Sequence, residues 1–201
     1  MTKKYFNITY AEAKQASATL FSAFTNDPMM QYVFGSEEQY LSIGQEVIET
    51  WINYCIRYGF ALRTANFESI AIRKWPKDTS TSLWRIFRSG MFKLPKLMGK
   101  ASFNRLMIMD ELLNKLRKTN MEKKPFLYCW VLGTRKEDQN KGFGNILMQA
   151  TFNKAKELNV PCYLETITEQ AQKVHTHKGY KLLASEQIPD SEIIIKTMLR
   201  D

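Results

Sequence analysis

The run Phe126–Leu132 is apolar almost throughout. It leads into the turn Gln139-Asn140-Lys141-Gly142-Phe143-Gly144 and then into a helix-like segment reaching about Leu158. A strand this apolar reads as buried on both faces. Two glycines leave the backbone of the turn uncovered, and the helix it opens presents unpaired N–H donors with partial positive charge. Those are the parts of a phosphate cradle. Taken alone, Gly142-Phe143-Gly144 is equally compatible with a plain tight turn.

A chain of 201 residues suits a single domain over 1–201 with one insertion, and 44% apolar content sets disorder aside. Met1–Tyr10 lacks the apolar stretch of a signal peptide, and no apolar run approaches the ~20 residues needed to span a bilayer. The expected location is the cytoplasm. Cys55, Cys129 and Cys162 are odd in number, lack metal-ligand spacing and sit among apolar neighbours, so buried free thiols and no metal site are expected. Residues 74–124 carry 13 Lys or Arg against Asp78, Asp110, Glu111 and Glu122, a difference equal to the whole net charge of +9. Such a block is either a solvated helix face or a basic wall facing an anionic ligand, nucleic acid or a membrane surface.

Thr9 and Glu12 form a capping-box pattern ahead of Ala13, Ala16, Leu20 and Phe24 at helical spacing, and Asn26-Asp27-Pro28 breaks that helix. Ser36 and Gln39 open a second helix carrying Leu41, Val47, Ile48, Trp51 and Cys55, which ends before Gly59. Phe60–Ala65 and Ser69–Trp75 form a hairpin around Asn66-Phe67-Glu68. After a polar break at 77–82, one stripe runs from Leu83 through Phe87 to Met98, interrupted at Gly90 and Pro95. A second runs from Leu106 to Leu116, making a helical insertion over about 77–124. Beyond the glycine turn come a strand Cys162–Thr166, a short helix Thr168–Lys178 stopped by Gly179, and a strand pair Tyr180–Ala184 and Glu192–Met198.

This order of elements resembles the GNAT superfamily of N-acetyltransferases. Its Arg/Gln-x-x-Gly-x-Gly/Ala signature is matched by Gln139, Gly142 and Gly144. Leu164-Glu165-Thr166 through Lys178-Gly179-Tyr180 looks like its second motif, and Asp27-Pro28 recurs in one branch of the family. Two departures stand out. Thr134-Arg135-Lys136 replaces a Val-Asp-Pro-like stretch, and the Asn-x-x-x-x-Tyr of the second motif falls on Ala171 and His175.

The resemblance implies an α/β (α+β) fold with a mixed, mostly antiparallel central sheet flanked by helices. It also implies acetyl-CoA as co-substrate, without a metal. The cofactor-binding residues would be Gln139, Asn140, Lys141, Gly142, Phe143 and Gly144 at the pyrophosphate, with the backbone of Leu132, Gly133 and Thr134 along the pantetheine arm. Leu132 N–H would face the thioester oxygen. The activity would be direct acetyl transfer to a primary amine in a ternary complex. A small-molecule acceptor is the first expectation and a protein N-terminus or lysine the second; a homodimer is compatible. An amine with the proton affinity of lysine is neutral in roughly 1 of 2,500 molecules at pH 7. A base is therefore useful, and Glu165 is the candidate, with a strand-end ion pair as its structural counterpart. His175 stands where the family's Tyr protonates the departing thiolate, a task an imidazolium can perform. A basic insertion at the cleft would favour acidic acceptors over polycations.

Three other readings compete. A dinucleotide-binding turn would need its third glycine at Leu147 and a strand–helix alternation that is missing. A nucleic-acid-binding protein would use the basic block, but no recognition motif accompanies it. A CoA-binding regulator that has lost catalysis would explain His175 in place of Tyr.

Overall fold

A computed structural model describes residues 4–76, 83–122 and 124–201; the polar break at 77–82 lies outside the described residues. Seven strands form one sheet in the order β1-β2-β3-β4-β5-β7-β6. They are β1 Phe6–Asn7, β2 Gly59–Arg63, β3 Ser69–Lys74, β4 Leu127–Thr134, β5 Cys162–Thr166, β6 Lys181–Gln187 and β7 Ile194–Arg200. Neighbours run antiparallel except β4 and β5, which are parallel. The helices are α1 Ala13–Ala23, α2 Pro28–Phe34, α3 Glu37–Tyr58, α4 Leu83–Arg88, α5 Leu94–Met121, α6 Phe143–Leu158 and α7 Glu169–His177.

The two faces of the sheet are covered by different helices. Ile70 and Ile72 of β3 pack with Leu20 of α1 and Ile52 of α3, while Ala71 packs with Leu147 and Ala150 of α6. Period-two alternation along one strand thus feeds two cores. The expectation of a strand buried on both faces holds for the first half of β4, where Leu127, Tyr128 and Cys129 are buried; Trp130, Val131 and Leu132 are half-buried.

Local chemistry explains the helix starts. Glu12 accepts from Thr9 N at 2.9 Å and also holds Arg63 of β2 at 2.7 Å, tying the entry of α1 to the sheet. The Asn26-Asp27-Pro28 break is also the start of another helix. Asp27 Oδ1 accepts from Met29 N (2.9 Å) and Met30 N (3.1 Å), and Pro28 occupies the first turn of α2. At α3, Ser36 Oγ accepts from Gln39 N at 3.1 Å. The Gln39 side chain does not close the box; its Nε2 donates to the Met98 carbonyl at 2.7 Å and so fastens the insertion to α3. Leu41, on the apolar stripe by spacing, is exposed, as is Phe87 in the insertion. Within α5 the backbone breaks helical geometry at Gly99 (φ 72, ψ 165).

The feature that positions the site is a parting of β4 and β5. Their ladder contains only Leu127↔Cys162 and Tyr128↔Tyr163, after which the strands diverge. Here β4 also bulges. Val131 opposes Ile72 and Tyr128 opposes Lys74, so Cys129 and Trp130 share the single residue Arg73. No helix among the described residues is long and apolar enough to cross a membrane.

Candidate active site

The parted strands open a cleft of about 210 Å³ whose walls come from the α1–α2 corner, the β4 bulge, β5 and α7. A larger hollow of about 480 Å³ lies at the β1–β2 edge against the back of α6. It borders the Lys154–Glu157 ion pair and none of the residues discussed below.

Hydrogen bonding shows which way the backbone of β4 faces. Arg135 N donates to the Glu68 carbonyl at 3.0 Å. The carbonyls of Gly133 and Val131 accept from Ser69 Oγ (3.0 Å) and Arg73 Nη1 (2.6 Å). Residues 131, 133 and 135 therefore address β3. By the alternation of an antiparallel pair, the N–H and C=O of Leu132 and Thr134 point the other way, into the gap. The Thr134 carbonyl meets Gln139 Nε2 there at 3.3 Å. Gly133 is packed from behind: a Cβ on it would come within 2.8 Å of Leu20 and 3.0 Å of Ala23.

At the end of β4 the chain turns into α6 with Asn140 at φ 63 and Gly142 at φ 87. Gly142 is the N-cap of α6 and makes no side-chain cap hydrogen bond, so the first-turn amides from Phe143 onward have no intrahelical acceptor. A Cβ on Gly142 would meet nothing within 4 Å, and one on Gly144 would lie 3.4 Å from Thr134 Oγ1. The space over these amides is open, as an anion cradle requires. Lys141 does not stand free beside it; Asp138 holds its Nζ at 3.1 Å and Arg135 at 2.8 Å. These residues fit the pyrophosphate of a CoA ester, and the open amide edge of Leu132 and Thr134 fits an extended amide-bearing arm.

On the α6 face the cleft is lined by Arg73, Cys129, Met148, Leu164, His175 and Tyr180. His175 lies edge-on to the Tyr180 ring at 5.5 Å, and its buried Nδ1 has no hydrogen-bond partner. Burial, with the Arg73 charge nearby, pushes its pKa down to about 4. At neutral pH the imidazole is therefore uncharged, with roughly 1 molecule in 1,000 protonated. Partial burial beside a cation disfavours the imidazolium expected at this position.

The opposite face belongs to Phe24, Asp27, Met29, Met30, Trp130 and Glu165. Glu165 reaches the cleft from β5, and behind it Arg117 of α5 pairs with Glu165 Oε1 at 3.0 Å while also donating to Tyr128 Oη at 2.9 Å. Burial raises the Glu165 pKa against the pull of Arg117. Glu165 thus borders the cleft and is also half of a buried ion pair, the structural counterpart expected for it. Lys74 completes the group, its Nζ 4.0 Å from the Trp130 ring and its pKa lowered to about 8 by burial. Asp27, by contrast, has no ion-pair partner among the described residues, and burial raises its pKa above the ordinary carboxylate value.

Two cleft residues, Asp27 and Arg73, had not been picked out as functional from sequence. Asp27 was visible as an Asp-Pro pair, whose N-cap signature marks a helix start facing inward. For Arg73 the signal was a guanidinium inside the apolar strand Ser69–Trp75. The basic insertion needs correction: no described residue of 77–124 lines the cleft, and Arg117 only backs Glu165. The described part of the basic block therefore gives no ground for expecting acidic acceptors. No group of three or more His, Cys, Asp or Glu that could hold a metal occurs among the described residues.

No family model matches the chain. An uncharacterised N-acetyltransferase of Schizosaccharomyces pombe is 28% identical over 175 residues, covering 83% of this chain and 70% of the yeast protein. A histone acetyltransferase HPA2-related acetyltransferase of Corynebacterium glutamicum has the same fold, with a TM-score of 0.64, 17% identity, and coverage of 100% of this chain and 96% of that one. A putative arylalkylamine N-acetyltransferase 7 from the yellow fever mosquito matches with a TM-score of 0.67 at 11% identity, over 97% of this chain and 85% of that one. The chain thus has the fold of these acetyltransferases and is similar along most of its length to a protein named as an N-acetyltransferase.

Proposed function

We propose that the chain acetylates a primary amine borne on a small, largely apolar molecule, by direct attack with both substrates bound. The observation that carries this reading is the cleft's asymmetry. Open backbone amides line one wall, and two carboxylates set among Phe24, Met29, Met30 and Trp130 line the other. The acceptor named for the mosquito neighbour, an arylalkylamine, has that chemistry.

Acetyl-CoA supplies an activated acyl group on a sulfur leaving group. The first-turn amides of α6 hold its phosphates, and the Leu132–Thr134 edge holds its arm as an added strand would be held. Leu132 N–H is the donor for the carbonyl oxygen, where charge grows as the amine attacks. Deprotonating an ammonium of pKa ~10.4 at pH 7 costs roughly 4–5 kcal/mol, which a base offsets. Asp27 suits this task better than Glu165. Its carboxylate is half-buried and has no ion-pair partner among the described residues, so its proton affinity is raised, whereas Arg117 holds the Glu165 charge in place. Glu165 then attracts the cationic acceptor, and neutral His175 borders the sulfur end of the cleft.

Calorimetric titration of acetyl-CoA followed by an amine panel tests the reading. We expect arylalkylamines to be acetylated faster than polyamines or peptides. Turnover confined to peptides would overturn the acceptor class, and absence of acetyl-CoA binding would overturn the donor.

A further inference from the structure

Arg73 is only 2% exposed, yet it borders the cleft and has no carboxylate partner among the described residues. It stands opposite the β4 bulge, on the face shared with Cys129, His175 and Tyr180. Nε donates to Thr151 Oγ1 of α6 at 3.1 Å, and Nη1 donates to the carbonyls of Ile72 (3.0 Å) and Val131 (2.6 Å). Neutral acceptors orient the guanidinium without cancelling its charge, and Nη2 carries no hydrogen bond to the described residues. A buried, uncompensated cation is costly, and such a group favours any anion formed beside it.

Of the other groups on this face, His175 and Tyr180 supply neither a positive charge nor a ready proton, while the hydrogen bond with Cys162 lowers the Cys129 thiol to about 7. His175 is neutral, its remaining proton affinity depressed by burial and by Arg73 itself. The Tyr180 hydroxyl lies 3.5 Å from Cys129 Sγ, and burial keeps its proton on. We propose that Arg73 receives the leaving group as an anion: its guanidinium stabilises the CoA sulfur as a thiolate within the cleft, so no side chain has to protonate it there. When the amine nitrogen bonds to the carbonyl carbon and the C–S bond breaks, the electron pair stays on sulfur opposite Arg73. The amine's proton passes to a carboxylate or to water, and sulfur takes its own proton from solvent on release. This rests on the donor reading above.

The test compares binding of CoA and desulfo-CoA, which lacks only the sulfur, by calorimetry across pH. A free thiol titrates near ~8.5. A facing cation lowers a bound acid by roughly 1–3 units. The affinity ratio of CoA to desulfo-CoA should then climb with pH up to the free thiol value and level off above it, rising about 10- to 1,000-fold in all. Titrations of Cys129, His175 and Tyr180 that do not sense the sulfur cancel in the ratio. Arg73→Met should flatten the climb, and Tyr180→Phe should leave it in place. A ratio in the unaltered protein that is independent of pH overturns the proposal whether or not Arg73→Met folds. If both ligands bind with a flat ratio, the donor reading survives without Arg73. If neither binds, both fall.

Discussion

The two walls of the cleft are built from different materials. On the proposed reading, the donor wall is backbone: amides of Leu132 and Thr134 turned into the gap, and the uncapped first turn of α6 behind Gly142. The acceptor wall is side chain, with Asp27 from a helix cap, Trp130 from the bulge and Glu165 from β5 held by Arg117 from the insertion. Backbone recognition depends on chain geometry and tolerates most side-chain changes. Side-chain recognition depends on distant segments arriving together.

Substitutions at each wall should therefore fail differently. Gly142→Val forces a β-branched residue to φ 87 and sets a Cβ over the anion site. Strain of about 1–3 kcal/mol and loss of a charged hydrogen bond should weaken acetyl-CoA binding roughly 10²–10⁴-fold by calorimetry. Gly142→Asn, which tolerates that φ, should relieve the strain but not the obstruction. Unchanged affinity in folded protein would show that the donor wall is elsewhere. Asp27→Asn keeps a cap acceptor for α2 but removes the base, so kcat should fall about 10²–10⁴-fold while acetyl-CoA affinity holds. A larger kcat loss for Glu165→Gln would reverse the assignment of the two carboxylates. Turnover should also decline as pH is lowered through the raised Asp27 pKa, because the protonated carboxyl cannot take the amine's proton.

Arg117→Met leaves Glu165 buried without its partner and should destabilise the fold by about 3–5 kcal/mol in denaturant titration, with acetyl-CoA affinity little changed in the folded fraction. His175→Phe gives the smallest effect. The folded pKa of His175 is about 4 against 6.5 for the free side chain, so the unfolded chain binds the extra proton between those values. Stability present above pH 6.5 is lost as pH falls toward 4, by at most about 3 kcal/mol, and the Phe variant should lack that slope.

The same division explains what could be read before the fold was known. The glycine turn was legible because Gly142 sits at positive φ, and the capping pair Thr9 and Glu12 was legible because its contacts are local. β5 runs over the expected residues, Cys162–Thr166. Asp27 was seen as a helix breaker because its partners are two and three residues away, whereas its role depends on a cleft formed by residues over a hundred positions later. The two residues of β1 pair with β2 but show too short a pattern to announce a strand. Phe87 fits a helical stripe yet lies exposed, since periodicity reveals a face without saying what covers it. Arg73 depends on a register shift, and no local pattern encodes the register of two strands some sixty residues apart.

The short ladder between β4 and β5 has a consequence for cohesion. Two residue pairs join a block made of β1 to β4 to a block made of β5, β7 and β6, and beyond them β4 exposes an internal strand edge. On the proposed reading, a donor lying along that edge would supply the missing rungs, and the sheet would be completed by its own substrate. Heat resistance should then track donor concentration by mass action, about 2.7 kcal/mol at a hundredfold excess over Kd. Donor depletion would leave the protein both idle and less tightly held together.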